Sequence, residues 1–446
     1  MNDVPDHNVV ASGSSNHPAS KGGGQHGEES AFRLPGLRWW MMALIVLGSI
    51  LNYLTRQTLS VAQVRLTDSL GISKEEYGLI TGAFQLTLML QPICGYVLDV
   101  IGLRIGLAIF VVAWSVISMA HGLATGWKGL AFLRGLMGFA EGSANPAGMK
   151  ATAQWFPARE RGLAGGIYNI GASAGMMLAG PLVLFAITYL NWQSAFVISG
   201  GLGLVWVCLW LFFFESPARH RWLSRQERDY IESGQEKSLE SAGKPSMWAI
   251  IRQRNFWGIA LPRFLADPTW IALGAWLPSY MKDERGWDLK AIAEFTWLPF
   301  LAADIGCIFG GVLAAKLQKH LGVSLINARR LAFTSGAVLM IGVAFAGMVE
   351  DPYVAILLFS LAGFAHQTLS VTVITMSSDL FRRSEVATVA GMAGTFGNAG
   401  ALIFTLSVGV LVSHIGYSPF FVCLSILDII GAIVLWTLVR ERHELS

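Results

Sequence analysis

Apolar runs of about 20 residues recur along almost the entire chain, and about 20 residues of helix span the hydrocarbon core of a bilayer. Twelve such runs are placed near 38–63, 77–98, 102–124, 128–150, 162–189, 193–215, 256–281, 290–315, 328–349, 353–378, 386–413 and 417–439. Strands are not expected, because no ten-residue segment alternates apolar with polar residues as a barrel strand does. The fold class that follows is an all-α membrane protein with twelve transmembrane helices. Composition agrees: 53% of residues are hydrophobic and 14% are charged, against about 25% charged in a soluble domain. A net charge of +3 without a basic block gives no reason to expect nucleic acid. The four cysteines all lie in apolar segments without a CxxC pair, so they read as buried hydrophobes, with no disulfide frame and no metal site. Neither a GxxxxGK[ST] phosphate loop nor an HExxH helix occurs, and no nucleophile–base spacing emerges. An enzyme, a nucleotide motor and a cofactor are therefore not expected.

One polar stretch divides the runs six and six. The expected organisation is a disordered cytoplasmic tail (1–35), a first six-helix half (36–215), a cytoplasmic central loop (216–254), a second six-helix half (255–440) and a short cytoplasmic tail (441–446). The first apolar stretch is far longer than a signal-peptide core, so no cleavable signal is expected. With both termini cytoplasmic, 22 of the 32 Lys and Arg residues fall on the inner side and 6 on the outer. That is the asymmetry which orients such helices in an inner membrane. Gly95-x3-Asp99-x2-Gly102-x-Arg104 after the second run has a degraded copy, Gly311-x3-Ala315-Lys316, after the eighth. Paired halves about a midplane site are how many secondary carriers are built.

An ionisable group inside hydrocarbon costs about 2.5–3.5 kcal/mol on insertion scales, so each needs a partner or a wet cavity. The first run holds Asn52, Arg56 and Gln57; the fourth holds Arg134, Glu141 and Asn145. At 1.5 Å per residue, Arg56 and Arg134 both lie roughly 10 Å below the outer surface. Glu141 follows Arg134 by two turns on the same face, near the midplane, and Asn145 continues that face. Two guanidiniums with one carboxylate leave positive charge, and an organic anion would neutralise it. Arg offers a planar fork suited to a carboxylate. The expectation is that Arg56 holds a substrate carboxylate, while Glu141 carries a proton whose affinity Arg134 tunes. A plain Arg134–Glu141 pair with no transport role is the structural alternative.

The second half presents a different set. Arg263 and Asp267 are spaced as an intrahelical pair, and Asp304 is expected within about a turn of their depth, together forming a gate or a static strut. Asp428 has no evident partner. Neutral groups that could bind hydroxyls are Gln85, Asn169, His366, Gln367, Ser370 and Asn398, with helix–helix hydrogen bonding as the competing reading. Trp270, Trp276 and Trp297 are candidates for stacking on a ring or for interfacial anchoring.

The element Gly95-x3-Asp99-x2-Gly102-x-Arg104 resembles the loop 2–3 motif of the major facilitator superfamily, with Val100 where a basic residue is usual. Arg134-x3-Gly138 is similar to that superfamily's second motif. The resemblance implies gating roles for Asp99 and Arg104. From Leu37 to Trp436 the chain resembles, more narrowly, the hexuronate transporters of the anion:cation symporter family. The stretches that carry this are Asn52-Tyr53-Leu54-Thr55-Arg56, Ala144-Asn145-Pro146-Ala147-Gly148, Trp155-Phe156-Pro157, Phe256 through Ala266, and Gly363-Phe364-Ala365-His366-Gln367. The resemblance implies proton-coupled symport of galacturonate or glucuronate by a monomer. In related sugar-acid symporters an Asp–Arg step in the first span and a Glu in the fourth bind substrate and protons. Here Thr55, which cannot titrate, stands in the acidic position. Gly180-Pro181 lacks the glycine pair typical of antiporters and leans to symport. The alternatives are a carrier of another organic anion, such as an aldonate or aromatic acid, and a transporter-like sensor that binds without translocating.

Overall fold

The structure, a computed structural model, describes residues 35–157, 160–233, 247–381 and 383–441. The expected N-terminal tail apart from residue 35, the middle of the central loop, Arg159, Arg382, the last five residues and the side chain of Asp99 lie outside the described residues.

All twelve expected runs are helical, and no strand occurs among the described residues. Among the described residues nine helices are long and apolar enough to cross a bilayer alone, and Lys74–Leu88 with Gln91–Leu98, bent by 42°, passes the same test as a pair. The fourth and seventh runs are broken. The fourth consists of Trp127–Glu141 and Ala144–Trp155, interrupted at Gly142 and Ser143 just ahead of Pro146. The seventh runs through Arg254–Ala266, which contains Pro262, then Pro268–Ile271, a π-helical turn Ala272–Trp276, and Leu277–Asp283 with Pro278 in its first turn. Each proline lacks an N–H and crowds the carbonyl four residues back, so the ladder breaks where prolines recur.

Both halves start and end at the end of the bundle that carries the described parts of the central linker, here the linker end. Its helix Arg225–Ser233 is anchored rather than loose: Ile231 is buried, and Glu227 accepts hydrogen bonds from the backbone N–H groups of Leu37 (3.1 Å) and Arg38 (3.3 Å). A carboxylate there satisfies donors that the first span's N-terminus leaves open and complements its dipole.

One apolar cluster belongs to the first half and includes Trp114, Trp155, Trp210 and Phe214. The larger cluster gathers Phe256, Phe300, Phe333, Phe359 and Phe421 of the second half, but also Leu59, Leu66, Tyr77 and Ile80 of the first. The halves therefore share a core toward the end opposite the linker. There the second and eleventh spans pack tightly, so that a Cβ on Gly78 would lie 2.7 Å from the Gly409 Cα. Only glycine permits that spacing. Gly409→Val is expected to force the two spans apart. In a background lacking the native cysteines, Ser60→Cys on the chamber wall should then react several-fold faster with a membrane-impermeant thiol reagent added at that end. An unchanged rate would contradict the seal.

Candidate binding chamber

Between the halves lies a cavity of about 60 Å³, room for about four waters at 10–15 Å³ apiece. The first half lines it with Arg56, Gln57, Ser60, Thr81, Gln85 and Arg134; the second with Trp270, Ile271, Gly274 and Ala275. The second-half wall is the broken stretch of the seventh span. A π turn widens the helix and misaligns its carbonyls, and Gly274 O accepts from Gln57 Nε2 at 2.7 Å.

The two guanidiniums share one layer, as the helical rise implies: Arg134 Nη1 and Nη2 donate to the backbone carbonyl of Arg56 at 3.2 and 3.3 Å. The partner of Glu141 differs from the expectation. Its Oε2 accepts from Arg56 Nε at 3.0 Å and its Oε1 from Thr55 Oγ1 at 3.1 Å. Glu141 and Arg134 do share a helical face, but seven residues separate them by about 10 Å along the axis. The first span crosses that gap and inserts Arg56. The Arg56 guanidinium lies 4.5 Å from the Tyr53 ring centroid and 5.0 Å from that of Phe84, with its side chain 21% exposed while Glu141 is sealed. Its Nη2 reaches Asn52 Oδ1 at 3.4 Å. Asn145 is exposed, because the break at Gly142 and Ser143 ends the face it was expected to continue.

The neutral candidates divide. Gln85 lines the chamber, buried, with Oε1 unpaired among the described residues. Asn52 is fully buried beside Arg56. His366 is buried and stacks on Trp270 (5.6 Å, 25° between planes), so it backs the wall instead of facing the cavity. Gln367, Ser370 and Asn398 are half-buried and Asn169 is exposed; none of the four lines the chamber. Trp270 is on the wall, whereas Trp276 donates to Thr405 Oγ1 at 3.0 Å and helps close the far end. Trp297 only donates to Glu294 O.

Arg263 Nη2 pairs with Asp267 Oδ2 at 3.1 Å. Asp304 does not join them: its Oδ1 accepts from Ser173 Oγ at 2.7 Å, across the boundary between halves. The eighth span faces the fifth, an arrangement that depth counting cannot supply. Arg104 binds Glu215 Oε2 at 2.6 Å and Leu211 O at 2.5 Å at the linker end, within the first half. Gly102, two residues before Arg104, turns with φ of 92°, a conformation that glycine alone adopts readily.

Sequence reasoning missed the closure at the far end. Tyr77 Oη donates to Ala275 O (2.9 Å), Thr81 and Thr405 hydroxyls meet at 2.8 Å, and Ser279 bonds Gln63. Lys282 pairs with Asp68 (2.8 Å) and Lys74 with Asp283 (3.0 Å). Each is an ordinary residue whose partner is more than a hundred positions away, so no local signal marks it.

The family model described as Major Facilitator Superfamily matches residues 45–404 and 323–446. The hexuronate transporter of Escherichia coli K12 is 47% identical over 417 residues, which is 93% of this chain and 96% of that protein. The galacturonate transporter of Dickeya chrysanthemi is 47% identical over 328 residues, covering 73% of this chain and 95% of its own. Among solved structures, a bacterial homologue of the human lysosomal transporter Spinster superposes with a TM-score of 0.68 at 17% identity, covering 91% of this chain and 96% of its own, which bears on the fold alone. A family model across the body of the chain and close relatives matched nearly end to end agree with the two helical halves and the cavity between them: the chain belongs to the Major Facilitator Superfamily.

Proposed function

We propose that this chain carries a hexuronate, galacturonate or glucuronate, into the cell together with protons, by alternating access to the chamber. The half comprising 36–215 rocks against the half comprising 255–440 about the central site, with 216–254 joining them on the cytoplasmic side. The excess of Lys and Arg at the linker end supports a cytoplasmic position for that end and both termini, in an inner membrane. The transporter acts as a monomer.

The observation that carries the reading is the charge balance on the wall. Arg56 and Arg134 share one carboxylate, Glu141, and Arg56 Nη1 makes no hydrogen bond among the described residues. A substrate carboxylate entering the chamber competes with Glu141 for one guanidinium. Two ionised carboxylates crowded together repel, so a proton on Glu141 releases Arg56 to the newcomer. The chamber then has the same net charge empty, with Glu141 ionised, as it has with substrate and proton both aboard. The relatives named for hexuronate and galacturonate support the choice of anion, and Trp270 supplies a face for the sugar ring.

The test is uptake in proteoliposomes. Labelled galacturonate should accumulate above its external concentration under an inward proton gradient, and excess glucuronate should compete for it. A protein that binds galacturonate without accumulating it, or that accumulates only an aldonate, would refute the assignment.

A further inference from the structure

Asp428 takes no part in the chamber, yet it sits near the middle of the last span, Ser418–Leu438. It is 0% exposed, and neither carboxyl oxygen meets a hydrogen-bond donor among the described residues. Its level in the bundle follows from packing. Gly431 abuts the seventh span at Pro262, whose Cα would lie 3.7 Å from a Cβ on that glycine. The two spans run in opposite directions, so three residues back from Gly431 and three on from Pro262 bring Asp428 level with Leu265, between Arg263 and Asp267 in height. Close to that level Asp267 holds Arg263 at 3.1 Å. The ninth span brings only Arg329 and Arg330, at its linker end. Arg330 binds Val439 O there, eleven residues or about 16 Å along the last span from Asp428. The eleventh span has charged or titratable residues only near its ends: Arg383, Glu385 and His414.

The Arg263–Asp267 pair lies where the halves meet. A Cβ on Gly397 of the eleventh span would run into the Asp267 carboxyl, and one on Gly394 would lie 3.6 Å from Arg263 Nη1 and 3.4 Å from Gln91 Nε2 of the first half. Relative motion of the halves acts on this pair directly, while Asp428 remains behind it within the second half. An ionised carboxylate with no donor is the most costly form for such a site, and a neutral carboxyl the least.

We propose that Asp428 is a second proton-binding site: it holds a proton while Asp267 holds Arg263, and gives it up when rearrangement of the halves swings Arg263 onto it. The O–H bond breaks, the proton passes to water in the opened chamber, and the guanidinium exchanges one carboxylate for the other. Asp267, half-buried at the boundary, then faces that water. The return swing restores both bonds, with a proton taken from the opposite side. The idea rests on the transport reading above, but part of its test needs no substrate.

Infrared difference spectra of the purified protein at neutral pH should contain a protonated-carboxyl C=O band that disappears in Asp428→Asn and shifts in Asp428→Glu. The Glu variant keeps the test available should the Asn variant fail to fold. Asp267→Asn removes the carboxylate that holds Arg263, freeing the guanidinium to turn to Asp428, so the same band should bleach. No change in the band with Asp428→Asn or Asp428→Glu, or its persistence in Asp267→Asn, would overturn the proposal. In proteoliposomes the proton number per galacturonate, read from the pH gradient that just reverses flux, should fall by one in Asp428→Asn. A number equal to wild type would make Asp428 a fixed neutral strut and also end the idea. Lack of any galacturonate flux in wild type would instead count against the substrate assignment, with the infrared result still deciding whether Asp428 binds a proton.

Discussion

Arg56→Ala is expected to reduce gradient-driven galacturonate uptake by at least about 30-fold. A hydrogen bond to a charged group contributes about 1.5–3 kcal/mol, and truncating one partner of a buried charged contact costs about 2–5 kcal/mol. Each 1.4 kcal/mol is a factor of ten in binding. The substitution also removes the guanidinium from Glu141, a sealed carboxylate whose only other described side-chain donor is Thr55. A buried charge stripped of its partner is strongly destabilising, so lost uptake alone would not separate clamp from strut. The double variant Arg56→Ala with Glu141→Gln does. It should regain much of the thermal stability that Arg56→Ala loses, because the orphaned charge is gone, while uptake stays at background. Arg56→Lys keeps the charge but not the planar fork, and should show weaker substrate binding with intermediate transport. Recovered uptake in the stabilised double variant would remove Arg56 from the binding site.

The parts of this protein that were legible in the sequence are those governed by a single helix. Twelve apolar runs gave the spans, because each must satisfy its own backbone within the bilayer. The common layer of Arg56 and Arg134 followed from helical rise alone, and the Arg134 contacts with the Arg56 carbonyl agree. What lay beyond reach depends on how helices cross. Along its own helix Glu141 has only Arg134, two turns away, to act on it, whereas a neighbouring span supplies the groups that bond it, Arg56 and Thr55. Asp304 was grouped with Arg263 and Asp267 by depth, although its partner Ser173 belongs to the other half. The seventh span read as one helix, yet its prolines and π turn form the chamber wall and let Gln57 reach Gly274 O. Hydropathy weighs Pro268 and Gly274 as two residues among many; the backbone treats them as the places where the ladder gives way. Asn145 was lost for the same reason, since counting a face across Gly142 and Ser143 assumes a helix that has already ended.

Glu141→Gln is expected to separate binding from coupling. Glutamine has the shape of the protonated acid, so Thr55 and Arg56 retain a neutral oxygen acceptor where the carboxylate stood, and Arg56 is permanently available to the substrate. Galacturonate binding should then lose its pH dependence over the range in which wild type varies, and counterflow between equal proton concentrations should continue within a few-fold of wild type. Accumulation should fall. One pH unit is worth about 1.4 kcal/mol per proton, so each coupled proton supports up to about tenfold accumulation per unit of gradient. Losing the Glu141 proton should lower the attainable ratio by that factor, leaving only what a second site such as Asp428 supplies. The paired measurement is steady-state accumulation and counterflow in the same proteoliposomes. Loss of both would reassign Glu141 as a structural partner of Arg56, and unchanged accumulation would place the transported proton elsewhere. The expected pattern, exchange retained and concentration weakened, is what one guanidinium shared between two competing carboxylates implies once one of them can no longer ionise.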